Sequence, residues 1–502
     1  MASASAAEDR RPPEVSAVEI PPGQIDAAVA QLDGVAAEMM GRSGIPGMAI
    51  AVVHDDRVVY AKGFGVRRTG AGRPVDADTV FQVASLSKPI GATAVAGAIG
   101  RRVGWNDRVV DHLPGFRLGT RLATRNVTIA DLYSHRSGLP DHAGDLLEDL
   151  GYGRQQILRR LRFYPLAPLR TEYAYTNFGL TAGAVAVARA HRTSWARLSE
   201  RELYRPLGMS STSSTYADYR AAANRADPHV KVGDAWRSLH ERGPDAQSPA
   251  GGVSSSAADM AKWMRLQLAG GVFDGRRVVA AAPLAQMRTP HSLTGAPATP
   301  ASRSSFYGLG LGISDDSTGR VRFSHSGAFA LGVGTTLTLL PSERLGIVVL
   351  TNGQPIGVAE AVAAKFMDLA TLGRVERDWL PAYNALLAPM LANHSRLAGR
   401  ERPARPRPAR RARAYVGRYA SRLYGAARVT ARGGRLRLHL GPRGRAFPLT
   451  HWSGDTFSYV PAGENATGIA AVTFRGAKRR AAAAVRIENL DEQPGLGVFK
   501  RR

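Results

Sequence analysis

Residues 396–414 contain Pro403, Pro406 and Pro408 within a run of eight arginines. Proline lacks a backbone N–H and fixes φ, so neither a helix nor a central strand can pass through such a run. The arginines repel one another and favour an extended spacer. Whatever folds before this segment and whatever folds after it must therefore do so separately. The boundaries that follow are a lead-in at 1–23, a large body at 24–395, the spacer at 396–414 and a small terminal domain at 415–502. The lead-in is polar, contains proline and is expected to be disordered or strapped down.

In the body, apolar spacing at Ile25, Val29, Leu32 and Val35 predicts a helix over Gln24–Met40. Strand-like runs follow at Met48–His54 and Arg57–Val66, joined at Asp55-Asp56. Ser85 to about Arg101 is Ala-rich without alternation, which predicts a buried helix. Further helices are expected near Arg154–Arg162, Thr181–Arg192 and Ala257–Leu268, with strands at Val321–Ser324, Thr335–Leu340 and Leu345–Thr351 and a closing helix at Val358–Leu372. Strands near both ends around a helical middle imply an α+β body with one sheet and a helical insertion. In the tail, Leu436, Leu438 and Leu440 alternate with arginines, and short strands recur at Ala427–Arg432, Thr456–Val460, Ala470–Phe474 and Val485–Leu490. That spacing predicts a small all-β barrel or sandwich.

Charge narrows the function. The net charge is +26, but residues 400–502 hold 23 Lys+Arg against six Asp+Glu, so only +9 belongs to the rest. A basic chain invites a nucleic-acid partner. The spacer has no aromatic residue for base stacking, however, so a specific nucleic-acid site is not expected, while non-specific polyanion contact through 396–502 stays open. With no cysteine, disulfides and thiolate metal sites are excluded. No metal-ligand spacing and no cofactor motif is found, and no apolar run reaches the ~18 residues of a membrane helix. The first thirty residues lack an apolar signal core, which leaves the compartment undetermined. Oligomeric state is not readable either.

The chemistry concentrates in three short motifs. Ser85-Leu-Ser-Lys88 opens the predicted helix, where i and i+3 share a face and a lysine amine can stand beside a serine hydroxyl. A serine is a weak nucleophile that needs such a base, and a helix start offers free N–H groups to an oxyanion. Tyr175-Thr-Asn177 follows 90 residues later, and His325-Ser-Gly327 another 150 on. His142-Ala-Gly144 also fits the last pattern, but strand context and chain order favour His325. All three in order would arise by chance with a frequency of only ~0.03.

Together these motifs resemble the serine β-lactamase and penicillin-binding-protein superfamily, in its class C-like branch of esterases, D-aminopeptidases and β-lactamases. The stretches Leu132–Pro140 and Ser248–Met260 are similar to that branch too, over about residues 24–375. The tail around Leu449–Phe457 resembles the lipocalin-like domain that some members append. The resemblance implies a β-lactamase-like fold, an antiparallel sheet flanked by helices plus a helical insertion, followed by a small β-barrel. It implies Ser85 as the acylated nucleophile, Lys88 and Tyr175 as proton-transfer groups, and Asn177 as the group orienting Lys88 and substrate. His325 and Gly327 would border the substrate, and the backbone N–H groups of Ser85 and Ala328 would form the oxyanion hole. No cofactor or metal is implied.

One position departs from the pattern. Where β-lactamases carry a lysine, this chain has His325, mostly neutral at pH 7 unless an acid supports it. Strong carboxylate anchoring is therefore not expected. The expected function is a serine hydrolase of esters or amides, esterase or D-aminopeptidase in type, acting on a small-molecule or peptide substrate. The alternatives are a true β-lactamase or DD-carboxypeptidase, and a catalytically silent protein whose arginine-rich tail binds a polyanion.

Overall fold

The computed structural model describes residues 18–100, 102–476 and 481–502. Most of the lead-in, whose disorder was an expectation, thus lies outside the described residues. The chain divides into two compact units. The first gathers the residues up to Trp105 with Ala190–Gly243 and Ser248–Leu387; the second gathers Asn106–Arg189, Pro244–Gln247 and Ala388–Arg502.

The first unit is built on an eight-stranded sheet. In spatial order its strands begin at Arg57, Gly47, Leu345, Val333, Val321, Gly312, Ser305 and Ser292, and neighbouring strands pair antiparallel. The central strands Gly47–His54, Val333–Leu340 and Leu345–Thr351 are buried almost throughout because both faces are covered. On one face Ile50, Val52, Ile347 and Val349 pack with Val35, Met39, Val362 and Phe366 from the helices Leu32–Ser43 and Val358–Leu372. Each such side chain contributes about 1.5–3 kcal/mol through burial. The helix Ala257–Leu268 packs on Gly47–His54 and Leu345–Thr351.

Three expectations need adjustment. The helix foreseen over Gln24–Met40 is two, Gln24–Ala30 and Leu32–Ser43, broken at Gln31. The strand expected to stop at Ser324 continues to Phe329, so His325 sits inside it, opposite Leu337. The helix expected over Thr181–Arg192 runs Asn177–Ala190 instead, and a further helix forms at Trp379–Leu391.

The second unit joins short helices to a nine-stranded sheet. Its strands run, in spatial order, from Arg445–Pro448 around to Thr450–Ser453. Only Leu449 separates these two end strands in sequence, so the sheet curls back on itself into a nearly closed barrel. Leu436, Leu438 and Leu440 fill it while Arg435 and Arg437 face out, as the alternation predicts. Tyr415, Phe457 and Phe474 stack edge and face inside it, with centroids 4.7–5.7 Å apart. The Pro-rich segment is extended and tied to the barrel: Arg410 pairs with Asp455 at 2.9 Å, and Arg407 exchanges backbone hydrogen bonds with Ser453 Oγ and Gly454 N. Within this unit the barrel is fastened to the helices. Tyr152 Oη donates to Tyr424 O at 2.8 Å, and Asp149 accepts from the backbone N–H groups of Glu464 and Asn465.

Candidate active site

In the first unit, Ser85 sits in a 3-10 turn, Ala84–Leu86, that feeds the helix Ser87–Ala98. Ala84 has φ +47°, a left-handed conformation costly for any residue with a Cβ. The surroundings hold it there. Thr335 Oγ1 donates to Val83 O at 2.9 Å, Val83 N donates to Val253 O, and Ser87 Oγ donates to Ala84 O at 2.6 Å while accepting from Val253 N. This strained turn presents the half-buried Ser85 hydroxyl.

Lys88, one helical step along, is fully buried. Its Nζ lies 3.0 Å from Ser85 Oγ and donates to Ala250 O at 2.9 Å. The spacing of three residues thus does what helix geometry predicts. Ala250 belongs to the stretch Ser248–Met260, whose contribution is a backbone carbonyl that aims the amine. An amine held against a hydroxyl at this distance, shielded from water, can take the hydroxyl proton as the oxygen attacks.

The strand Val321–Phe329 passes directly beneath this turn. A Cβ on Gly327 would stand 2.4 Å from Val83 O, 2.4 Å from Thr335 Oγ1 and 3.0 Å from Ser85 N. Only glycine permits that approach; Ala328 is the next residue of the strand. His325 is half-buried, with Nε2 2.8 Å from Tyr307 Oη and Nδ1 2.7 Å from Ser326 O. A carbonyl accepts only, so Nδ1 carries the proton and Nε2 accepts from the tyrosine hydroxyl. Burial, and then the neighbouring Lys88 side chain, push the imidazole pKa down to about 3. His325 is therefore a neutral ring at physiological pH.

Tyr175 and Asn177 belong to the second unit. Tyr175 is half-buried, its ring 4.6 Å from that of His135 and 5.8 Å from that of His142. Its backbone N–H donates to Asp141 and its carbonyl accepts from His142 N. Asn177 begins the helix Asn177–Ala190 and donates through Nδ2 to Asp145 Oδ2 at 2.8 Å. Asp145 also accepts from His142 Nδ1, and this contact raises the His142 pKa. His142, the rival match to the His-x-Gly pattern, thus supports Asn177.

The stretch Leu132–Pro140 has a structural role as well. His135 is buried; its Nδ1 accepts from Thr176 N and its carbonyl from Ala174 N, so it brackets the Tyr-x-Asn motif from both sides. Asp131, fully buried, caps its helix through Thr128 and binds Arg136 and Arg170 at 2.8 Å each. The arginine and hydrogen-bond partners outweigh desolvation, holding its carboxyl below the usual range. Tyr307 and Asp145 carry no signal in short motifs, whereas His135 lies within the stretch Leu132–Pro140; each meets its partner through tertiary contact.

A family model described as "Beta-lactamase" matches residues 32–372, and one described as "Domain of unknown function (DUF3471)" matches 401–496. The chain is 26% identical over 508 residues to an "Unguisins hydrolase" of Aspergillus violaceofuscus, covering 91% of this chain and 87% of that one. It is 30% identical over 323 residues to "Penicillin-binding protein 4" of Amycolatopsis lactamdurans, covering 62% of this chain and 81% of the relative. Among solved structures, an octameric penicillin-binding protein homologue from Pyrococcus abyssi shares the fold at TM-score 0.59 and 18% identity, over 94% of this chain and all of that one. Among the described residues, no helix is long and apolar enough to cross a membrane.

Proposed function

This chain belongs to the Beta-lactamase family and is a serine hydrolase, and from that premise we propose that it cleaves esters or amides through an acyl-enzyme on Ser85. The observation that carries this is the buried Lys88 amine 3.0 Å from Ser85 Oγ. Ser85 Oγ attacks the substrate carbonyl carbon as its proton passes to the Lys88/Tyr175 pair. The carbonyl oxygen gains the negative charge and is stabilised by the N–H groups of Ser85 and Ala328. Collapse of the tetrahedral intermediate breaks the bond to the alcohol or amine, which leaves with the transferred proton. Water then attacks the acyl-enzyme by the reverse proton route, releasing the acid and restoring Ser85. Asn177 orients Lys88 and the substrate, and His325 and Gly327 border the acyl group. The hydrolase domain is assigned to 24–395 and the barrel to 415–502.

Within this class, an esterase or D-aminopeptidase type fits better than a β-lactamase or DD-carboxypeptidase. The neutral His325, accepting from Tyr307, supplies no cation for a substrate carboxylate. Kinetics on p-nitrophenyl acetate, p-nitrophenyl butyrate, D-Ala-p-nitroanilide and nitrocefin test the choice. Ester or D-aminoacyl turnover should exceed nitrocefin turnover; efficient nitrocefin hydrolysis with slow ester cleavage would reverse the order.

A further inference from the structure

The second unit treats its arginines in two ways. Arg486, Arg410 and Arg396 are each answered by a carboxylate: Asp491 at 2.5 Å, Asp455 at 2.9 Å and Glu488 at 3.7 Å. The four neighbouring barrel strands Arg435–Leu440, Gly425–Arg432, Gly417–Ser421 and Val498–Arg501, by contrast, contain no aspartate or glutamate. On their outer face Arg435, Arg437, Arg432, Arg428, Arg418 and Lys500 are all exposed. Among the described residues, none of these six side chains makes an ion pair or a hydrogen bond.

Strand register sets their pattern. Arg432 stands directly opposite Arg435, and Arg428 directly opposite Arg418. Arg437 lies between these pairs, opposite Thr430, and Lys500 lies beyond them, opposite Ala420. Neighbouring strands are about 4.8 Å apart and successive outward residues about 7 Å apart, so the cations form a diagonal band ~25 Å long. Like charges directly opposite one another destabilise a sheet. Here the register is held by the inward residues Val429 and Leu438, which pair inside the barrel and are fully buried, so the positive field outside goes unanswered.

The shape and chemistry of the band select its partner. Two guanidinium forks that face each other can share a tetrahedral phosphate, whereas the two coplanar oxygens of a carboxylate are taken up by one fork. These strands expose no aromatic ring for base stacking and no large apolar side chain to enter a bilayer. A convex barrel wall also meets a flat membrane at few points, while a flexible chain can follow the diagonal. We propose that this face binds a linear phosphate polymer, gripping successive phosphates and reading nothing between them. The site belongs to the barrel and is independent of the acyl-enzyme reading.

Fluorescence anisotropy of the full chain with a labelled abasic oligodeoxynucleotide, a phosphodiester chain without bases, tests it. Saturable binding is expected, weakening about 10²-fold between about 50 and 200 mM NaCl as contacts to phosphate release counterions. Oligo(dT) of equal length should compete within about twofold, because phosphate contacts carry no base information. Polyglutamate of equal charge and free inorganic phosphate should compete about tenfold more weakly or worse. The double variant Arg428→Gln/Arg437→Gln should weaken binding about tenfold and make the salt dependence shallower, with the urea midpoint unchanged or raised as like charges leave one face. Arg197→Gln/Arg276→Gln, which takes the same charge from exposed arginines of the first unit, should leave the affinity unchanged. Absence of saturable binding, equal losses in the two double variants, or equal competition by polyglutamate or free phosphate would each overturn the proposal. So would binding of phosphatidylserine vesicles with the same dependence on Arg428 and Arg437, which would make the partner a membrane surface.

Discussion

Lys88 reaches Ser85 from a helix buried on nearly every side, and the turn before it is held by backbone carbonyls and the hydroxyls of Ser87 and Thr335. Tyr175 and Asn177 are carried differently, by a lattice of ionisable groups: His135, His142, Asp145 and, one layer behind, Asp131 with Arg136 and Arg170. In the first unit packing sets the geometry, so a change of functional group should alter chemistry and spare the fold. In the second, charges set the backbone path, so removing one should cost stability first.

The largest effect should come from Lys88→Met, which keeps the buried stem and removes the amine. Single-turnover acylation by p-nitrophenyl acetate should slow by about 10³-fold, as for loss of a general base, with the urea midpoint unchanged or raised because a buried polar group leaves the interior. A variant that loses stability instead would erase the contrast between the units. Asp131→Ala probes the other side. Removing a fully buried carboxylate that serves two arginines and a helix cap should cost about 4 kcal/mol in urea unfolding.

Glu360 sharpens the comparison inside the first unit. It is buried at the start of the helix Val358–Leu372, and desolvation raises its pKa to about 7. The folded state therefore holds this proton more tightly than the unfolded chain. The stability it confers is present in full below the unfolded value of 4.5 and is lost as pH rises through about 7. Compared with Glu360→Gln, the parent should lose up to about 3 kcal/mol between pH 4.5 and 8 in paired urea titrations. The smallest effect is expected from Tyr307→Phe, which removes the O–H donated to His325. Because that imidazole protonates only near pH 3, kcat/KM should fall about threefold with no change in the shape of its profile between pH 5 and 8, a loss worth one hydrogen bond.

How much was readable beforehand follows the range of the interactions. Val358–Leu372 and Leu345–Thr351 match their expected bounds to the residue, since periodicity and continuous apolar runs are local signals. The Ser85–Lys88 contact is local too, a matter of helical spacing. The strand through His325 runs five residues past its expected end at Ser324, and only the tertiary approach of Gly327 to Val83 and Ser85 explains a glycine in mid-strand. The adjacent Ser326 carbonyl fixes the tautomer of His325, but the partner of its Nε2, Tyr307, lies 18 residues earlier, and the path of Tyr175 rests on His135, 40 residues earlier. Neither pairing leaves a trace in spacing.

Incubation with a fluorophosphonate, read by intact mass and by the modified peptide, tests the acyl-enzyme on Ser85 most directly. One adduct is expected per chain, on Ser85, absent from Ser85→Ala and formed about 10³-fold more slowly in Lys88→Met. Equal labelling of the parent and Ser85→Ala, or an adduct on any other residue, would contradict it.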